Sequence, residues 1–259
     1  MFDPVMTLES GQFHHWERRG DLICAVNGDD AFFLKGGALA AGDEVRAAIF
    51  FDEGYDYDRV AEMVMASEDL KDLAPYLPLR ILKQDPWEAV VGYIFSSNNN
   101  LHRIGKSVRD LSRTYGKKLA EHGGLEAYAL PEPEVLCELS NDAMRALGTG
   151  YRDKYLIETA RQVAAGEVDL ARCYELDYAE AKKYLMKLSG VGPKVADCIL
   201  LFGYGKKDAF PVDVWIQRAM GRFGDFSSRQ AASDYAMSRF GEDAGYIQQL
   251  LFMHERRKK

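Results

Sequence analysis

The chain has 259 residues, 47% of them hydrophobic and 28% charged, a balance that supports one large or two small cores and excludes an intrinsically disordered polymer. No apolar run approaches the roughly 20 residues needed to cross a bilayer and the first residues lack the charged-then-apolar order of a secretion signal, so a cytoplasmic protein is the simplest expectation. The formal net charge of −7 argues against broad nonspecific binding to a polyanion.

Between Gln12 and Phe51, short segments rich in aromatic and β-branched residues (Leu22 to Val26, Phe32 to Leu34, Val45 to Phe51) are separated by turns at Arg19-Gly20, Asn27-Gly28-Asp29 and Gly36-Gly37. This pattern predicts an antiparallel meander. A helix is predicted from Asp58 to Ala66, and Pro75 and Pro78 mark a connector. From Asp85 onward the pattern turns helical, with Asp85 as N-cap, Pro86 in the first helical position and Glu88 placed to complete a capping box. Leu101, Ile104, Val108, Leu111 and Tyr115 fall on one helical stripe. Further helices are predicted at Glu134 to Leu139, Asp142 to Leu147, Tyr151 to Ala165, Ala179 to Leu188, Pro193 to Phe202, Val214 to Arg222, Arg229 to Phe240 and Ala244 to Arg256.

Charge is unevenly spread. Asp52, Glu53, Asp56, Asp58, Glu62, Glu68 and Asp69 crowd one early stretch, whereas Arg103, Lys106, Arg109, Arg113, Lys117 and Lys118 follow an asparagine run. A local basic face there would admit nucleic acid despite the overall acidity. The four cysteines, Cys24, Cys137, Cys173 and Cys198, are scattered and form no C-x-x-C. They are expected to be reduced, with no disulfide framework, local zinc site or compact iron–sulfur cluster.

The chemistry concentrates in Leu188-Ser189-Gly190-Val191-Gly192-Pro193-Lys194-Val195-Ala196-Asp197-Cys198 and in Phe210-Pro211-Val212-Asp213-Val214-Trp215. Gly190 and Gly192 allow a tight turn with unusual backbone angles, and Pro193 suits the first position of the next helix. Such a hairpin aims backbone N–H groups outward beside a helix N-terminus, where they bind phosphate without positive side chains. Lys194 then lies in the first helical turn, where the helix dipole and the apolar Val195, Ala196, Ile199 and Leu200 favour the neutral, nucleophilic amine. Breaking a base–sugar bond builds positive character at C1′, which a carboxylate such as Asp213 stabilises while an amine attacks the same carbon. The plainer alternatives are an ordinary helix connection with a solvated lysine and a helix N-cap at Asp213; the second is compatible with catalysis.

At these residues the chain resembles the helix-hairpin-helix glycosylases with a Gly/Pro-rich loop and following aspartate, and among them the eukaryotic-type 8-oxoguanine DNA glycosylase/lyases. Further segments extend the resemblance: Ser10-Gly11-Gln12-Phe13-His14-His15-Trp16; Gln84-Asp85-Pro86-Trp87-Glu88 leading to Ser96-Ser97-Asn98-Asn99-Asn100-Leu101-His102-Arg103; Leu147-Gly148-Thr149-Gly150-Tyr151-Arg152; and Gly241 to Phe252. They lie in the family's order and span nearly the whole chain. The resemblance implies an α+β fold, with an N-terminal antiparallel β domain over residues 1–82 and a mostly α-helical helix-hairpin-helix domain over 83–259. It also implies a base-excision-repair enzyme that flips out and excises 8-oxoguanine, preferably opposite cytosine. Lys194 would form a Schiff base that permits β-elimination at the abasic site, beside Asp213.

Site roles follow from the same resemblance. Gly11 would offer a backbone carbonyl to the N7 proton of the lesion, Gln248 would read the pairing edge, and Phe252 and Cys198 would sandwich the ring. Gln248 and Phe252, four apart, share a helical face. Tyr151 and Arg152 resemble the wedge and partner-strand contact, Asn98 and Arg103 the readers of the orphaned cytosine, and Gly190, Val191 and Gly192 the phosphate-binding turn. The carbonyls of Met186, Leu188 and Val191 would hold a monovalent or calcium ion. Plain packing of Phe252 and Cys198, a capped loop at Asn98 to Asn100 and a helix start at Tyr151-Arg152 are the bland readings. Trp215 stands where the family usually has a histidine, and His254-Glu255 replace a small-then-acidic pair, which puts phosphate contacts and pocket trimming in doubt. The expected partner is double-stranded DNA containing oxidised guanine, bound by a monomer without cofactor, cytoplasmic at the nucleoid in a bacterium or archaeon and nuclear in a eukaryote. The alternatives are a glycosylase for other damaged purines, against which Lys194 argues, and a noncatalytic damage-binding module.

Overall fold

The computed structural model describes residues 2–258. Helix α1 (Pro4–Glu9), capped by Asp3, leads into a four-stranded antiparallel sheet of β1 (Trp16–Arg19), β2 (Leu22–Asn27), β3 (Asp30–Lys35) and β4 (Ala38–Ala41) in sequential order. Both faces of β2 are covered: Ile23 and Ala25 pack with Phe13, Phe32 and Phe50, while Leu22, Cys24 and Val26 pack with Phe33, Leu125 and Ala127.

The strand expected at Val45 to Phe51 is instead helix α2 (Glu44–Phe50), whose N-cap Asp43 accepts the Arg46 N–H at 2.9 Å. Ala47 and Phe50, three apart, are buried, whereas Val45 and Ile49 are exposed. Their β-branched side chains gave the strand signal, and the cap together with the i, i+3 burial overrides it.

Helix α3 (Tyr57–Ala66) and a 3₁₀ segment (Lys71–Tyr76) follow, then α4 (Pro86–Ser96) and α5 (Leu101–Tyr115). Within the stretch expected to be helical lies a second hairpin, β5 (Lys118–His122) and β6 (Leu125–Tyr128), turning at Gly123-Gly124 with φ of 57° and 79°. The remainder is α6 (Pro133–Leu136), α7 (Asn141–Ala146), α8 (Asp153–Ala164), α9 (Tyr178–Leu185), α10 (Pro193–Gly203), α11 (Val214–Met220), α12 (Arg229–Phe240) and α13 (Ala244–Arg257). No described helix is long and apolar enough to cross a membrane.

Asp85 caps α4 by accepting the N–H groups of Trp87 (2.9 Å) and Glu88 (3.0 Å). The reciprocal half of the capping box does not form: the Asp85 N–H donates to Asn27 Oδ1 at 2.7 Å, and the Glu88 carboxylate is buried against His15 Nδ1 at 2.9 Å. Burial raises the Glu88 pKa and His15 opposes that shift. Glu88 thus bridges the sheet region to α4 rather than closing its own helix end.

Apolar packing divides the chain differently from the expected units 1–82 and 83–259. Val60, Val64, Leu70, Leu73, Leu79 and Ile81 belong to the large core formed with α4, α10 and α13, and the smaller core holds Leu8, Phe13, Ile23, Phe32, Phe50 and Leu82. Asp52, buried with φ of 53°, fastens the two regions by accepting from Tyr57 Oη (2.8 Å), Lys83 Nζ (2.9 Å) and Lys207 Nζ (2.5 Å).

Helix α13 sits tightly on α10 through Gly245. A Cβ there would lie 2.2 Å from Leu201 Cδ1 and 2.9 Å from the Lys207 carbonyl oxygen. Gly245→Ala is expected to lower stability by about 1–3 kcal/mol through overpacking, read as a fall in the urea midpoint with the slope unchanged; an unaltered midpoint would show that this contact can relax.

Candidate active site

The hairpin joining α9 to α10 is braced from α8. Thr159 Oγ1 donates to the Ser189 carbonyl (2.7 Å), Gln162 Nε2 donates to the Lys187 carbonyl (3.0 Å), and Gln162 Oε1 accepts the Ser189 N–H (2.9 Å). Gly190 adopts φ of 80°, and a Cβ at this position would lie 2.8 Å from Tyr155 Cβ. Gly192 departs from expectation: its φ of −91° and ψ of 179° are extended values that any residue adopts. It serves as an N-cap with no side chain, so no side-chain hydrogen bond caps the first turn of α10. Within the turn the Leu188 carbonyl accepts the Val191 N–H at 3.2 Å. Across the helices, buried Asp197 accepts from Tyr178 Oη (2.6 Å) and pairs with Lys182 Nζ (2.8 Å).

Lys194, Asp213, Gly11, Cys198, Gln248 and Phe252 line one cavity of about 490 Å³. Lys194 Nζ lies 5.8 Å from the Tyr93 ring centroid. The Cys198 thiol is pushed up to about 11, chiefly by burial and against the pull of Lys194, so it presents a neutral sulfur. Asp213 is the N-cap of α11 and accepts the N–H groups of Trp215 (2.9 Å) and Ile216 (2.8 Å), both through Oδ1. Its capping role is therefore real, and it fixes a carboxylate on the cavity wall. Gln248 Nε2 donates to the Pro211 carbonyl (3.1 Å), which leaves its buried Oε1 without a partner. A buried acceptor left open in a cavity is a place for a ligand donor.

The backbone around Gly11 is held by its neighbours. Gln12 Nε2 donates to Ser10 Oγ (2.9 Å) and the Arg80 carbonyl (2.8 Å), its Oε1 accepts the Leu82 N–H (2.8 Å), and its own carbonyl accepts from Gln84 Nε2 (2.7 Å) and Tyr93 Oη (2.6 Å). From α13, Gln249 Nε2 reaches the Ser10 carbonyl at 3.2 Å. Gly11 itself has φ of 88°, and a Cβ would fall 2.8 Å from Leu101 Cδ1 and 3.3 Å from Phe252 Cε1.

Asn98, Arg103 and Tyr151 are exposed, whereas Arg152 is buried. The Arg152 guanidinium donates to the carbonyls of Ser97 (Nε, 2.8 Å), Asn98 (Nη2, 2.8 Å) and Thr149 (Nη1, 3.2 Å), and Tyr151 Oη reaches the Ser97 carbonyl at 3.3 Å. These bonds hold Asn98 in its left-handed conformation, φ 49°. The basic run is less open than the sequence implies. Lys106 pairs with Asp110, Arg113 with Glu17, and Lys118 with Glu121 and Glu126, and Arg109 donates to the Trp16 carbonyl at 2.9 Å. Among the described residues of that run, Arg103, Arg109 and Lys117 have no ion pair.

Sequence reasoning missed the roles of Tyr93, His14 and Arg256, which line the same cavity. For Arg256 a signal existed, since 248, 252 and 256 repeat at the helical spacing of four. His14 sits edge-on to Tyr93 (centroids 5.8 Å) with Nε2 buried and unpartnered. Its pKa is lowered to about 3 by burial first and by Lys194 second. The folded state therefore excludes a proton that the unfolded chain accepts below pH 6.5, so this residue's contribution to stability is complete above pH 6.5 and declines as pH falls toward 3. Replacing His14 by Phe is expected to remove up to about 1.4 kcal/mol per pH unit of acid sensitivity in that window, measured by urea unfolding from pH 7 to 4; identical acid profiles would refute the burial argument.

The sequence and the architecture have close parallels. A model of the family described as "HhH-GPD superfamily base excision DNA repair protein" matches residues 91–240. A Methanothermobacter thermautotrophicus protein named "Probable N-glycosylase/DNA lyase" is 38% identical over 198 residues, covering 68% of this chain and 62% of that protein. The Saccharomyces cerevisiae N-glycosylase/DNA lyase is 36% identical, over 54% of this chain and 40% of its own length. The chain thus matches about two fifths to three fifths of these curated relatives. The crystal structure of the Clostridium acetobutylicum 8-oxoguanine glycosylase/lyase, in complex with double-stranded DNA containing cytosine opposite 8-oxoguanine, superposes with a TM-score of 0.91 at 30% identity, covering 99% of this chain and 92% of that one. A brace of α8 on a glycine hairpin, a lysine and an aspartate on one cavity wall and this family match lead to one conclusion: the chain belongs to the HhH-GPD superfamily of base excision DNA repair proteins.

Proposed function

We propose that this protein is a bifunctional DNA glycosylase/lyase that excises 8-oxoguanine, preferably opposite cytosine, from double-stranded DNA. The observation that carries the reading is the shared cavity: Lys194 and Asp213 line it together with Gly11, Cys198, Gln248 and Phe252, so nucleophile, electrostatic partner and base-reading groups face one ligand. The relatives named above and the solved glycosylase/lyase support the same reading. On this reading the flipped nucleotide presents C1′ to Lys194. The neutral amine forms the C1′–N bond as the C1′–N9 pair leaves with the base, Asp213 stabilises the positive character at C1′, and the ammonium proton is lost. The aminal then opens: the nitrogen pair forms C1′=N as the C1′–O4′ pair leaves with O4′, which takes up a proton, and the resulting Schiff base acidifies C2′, so that loss of a C2′ proton expels the 3′ phosphate.

The turn of Gly190, Val191 and Gly192 would grip a phosphate through the N–H groups of its glycines, the Val191 N–H being held by the Leu188 carbonyl, and the oxygen donors at Met186, Leu188 and Val191 are of the hard type that a monovalent or calcium ion takes. Asn98, Arg103, Tyr151 and Arg152 would serve the gap and the orphaned cytosine. Arg152 would then exchange carbonyl partners in the loop for acceptors on the base. Such a protein acts as a monomer wherever the DNA is, at the nucleoid of a prokaryote or in a nucleus.

Borohydride should trap a covalent adduct with a duplex carrying 8-oxoguanine opposite cytosine for the native protein and not for Lys194→Gln; equal base release by the two would overturn the nucleophile. Asp213→Asn keeps an N-cap side chain of similar strength while removing the charge. It is expected to keep the thermal midpoint within a few degrees yet slow single-turnover excision by about 10²-fold or more. Unchanged excision would leave Asp213 as a cap alone.

A further inference from the structure

Arg256 is a charged group lining the base cavity to which nothing above assigns a role. It lies one turn beyond Phe252 on α13, half-buried, with its guanidinium carbon 5.3 Å from the Phe252 ring centroid. A Cβ at Gly11 would meet its Nη1 at 3.0 Å, so the charge sits beside the backbone expected to read the lesion. Its polar contact to the protein is a long one, Nη1 to the Ser10 carbonyl at 3.5 Å, and among the described residues no carboxylate lies within ion-pair distance. Burial lowers its pKa, with Arg257 adding to the effect and Asp213 opposing it, yet an arginine keeps its proton under these conditions. A cation held partly out of water with one weak bond is an expense that packing does not explain. Its place in the last turn of α13 gives some relief from the helix dipole, but Arg257 shares that relief in an exposed setting.

We infer that Arg256 stabilises the negative charge that develops on the departing purine. The inference rests on the glycosylase reading above and deepens it. When the C1′–N9 bond breaks, its electron pair goes to the base and spreads over the ring and its carbonyl oxygens until a proton is taken up. Lys194 and Asp213 act on the sugar side of that bond, and neither supplies positive charge to the leaving side once the amine has been consumed. The guanidinium, fixed beside Phe252 and Gly11, is a preorganised cation at the other end of the breaking bond. It favours bases that carry additional oxygen acceptors, as oxidised purines do, over those that do not.

The test compares the native protein with Arg256→Met, which keeps the apolar stem, and Arg256→Lys, which keeps the charge. Two duplexes are used, one with 8-oxoguanine and one with a preformed abasic site, both opposite cytosine. For Arg256→Met, single-turnover base excision is expected to fall about tenfold to a hundredfold while abasic-site cleavage stays within about twofold, with substantial recovery in Arg256→Lys. Across a set of 8-substituted purines the loss should grow as the acidity of N9 in the free base falls. Equal losses on both duplexes would mark a structural role and overturn the inference. So would a loss confined to duplex affinity with a shallower salt dependence, which would mark a phosphate contact. Failure of the native protein to release 8-oxoguanine would instead sink the glycosylase reading itself.

Discussion

The saturated hydrogen bonding of Gln12 holds the site in shape. One buried amide ties the entry to the sheet, Ser10 to Gln12, to the connector at Arg80 and Leu82, while its carbonyl takes protons from Gln84 and from Tyr93 on α4. Breaking any of these would strand a buried polar atom. Gly11 is consequently presented to the cavity by a segment that cannot drift, and α13, which brings Gln248 and Phe252, is fastened to the same segment through Gln249. Parts of the chain more than two hundred residues apart thus share one rigid wall.

Electrostatics then sorts the cavity by sign. His14 and Cys198 are neutral because burial denies them charge, and Asp213 is fixed by two backbone donors at a helix start. With His14 and Cys198 neutral, Asp213 is the carboxylate that shares the cavity wall with Lys194 and Arg256. The same economy appears on the outside, where Lys106, Arg113 and Lys118, half of the basic run, are already paired with carboxylates. A protein of net charge −7 can then grip phosphate through backbone N–H groups more than through a broad positive face.

Much of this was legible in the residues. Gly190 and Pro193 beside Lys194, the Asp85-Pro86 cap and the apolar stripe from Leu101 to Tyr115 obey local rules, and local rules survive folding, whereas Gly192 takes extended angles open to any residue. The failures were cases where tertiary contacts decide. Val45 and Ile49 look like strand residues because they are β-branched, yet they point outward from a capped helix. Glu88 stands where a capping box would use it, and a histidine from residue 15 claims it instead. Gly123-Gly124 was a readable turn signal passed over within a helical region. Arg152 and the basic run show a different limit, since sequence displays charges without their partners.

The brace of α8 has a mechanical consequence. Tyr151 precedes this helix, and Tyr155, Thr159 and Gln162 along one side of it hold the glycine hairpin at Lys187, Ser189 and Gly190. A helix is stiff, so if Tyr151 inserts and the hairpin grips phosphate as proposed, their separation is set before any duplex arrives. Strain must then be borne by the nucleic acid, and a step with weakened stacking yields at lower force than an intact one. On the proposed reading the protein would behave as a caliper of fixed opening, and local softness of the double helix would become something it can sense by shape alone.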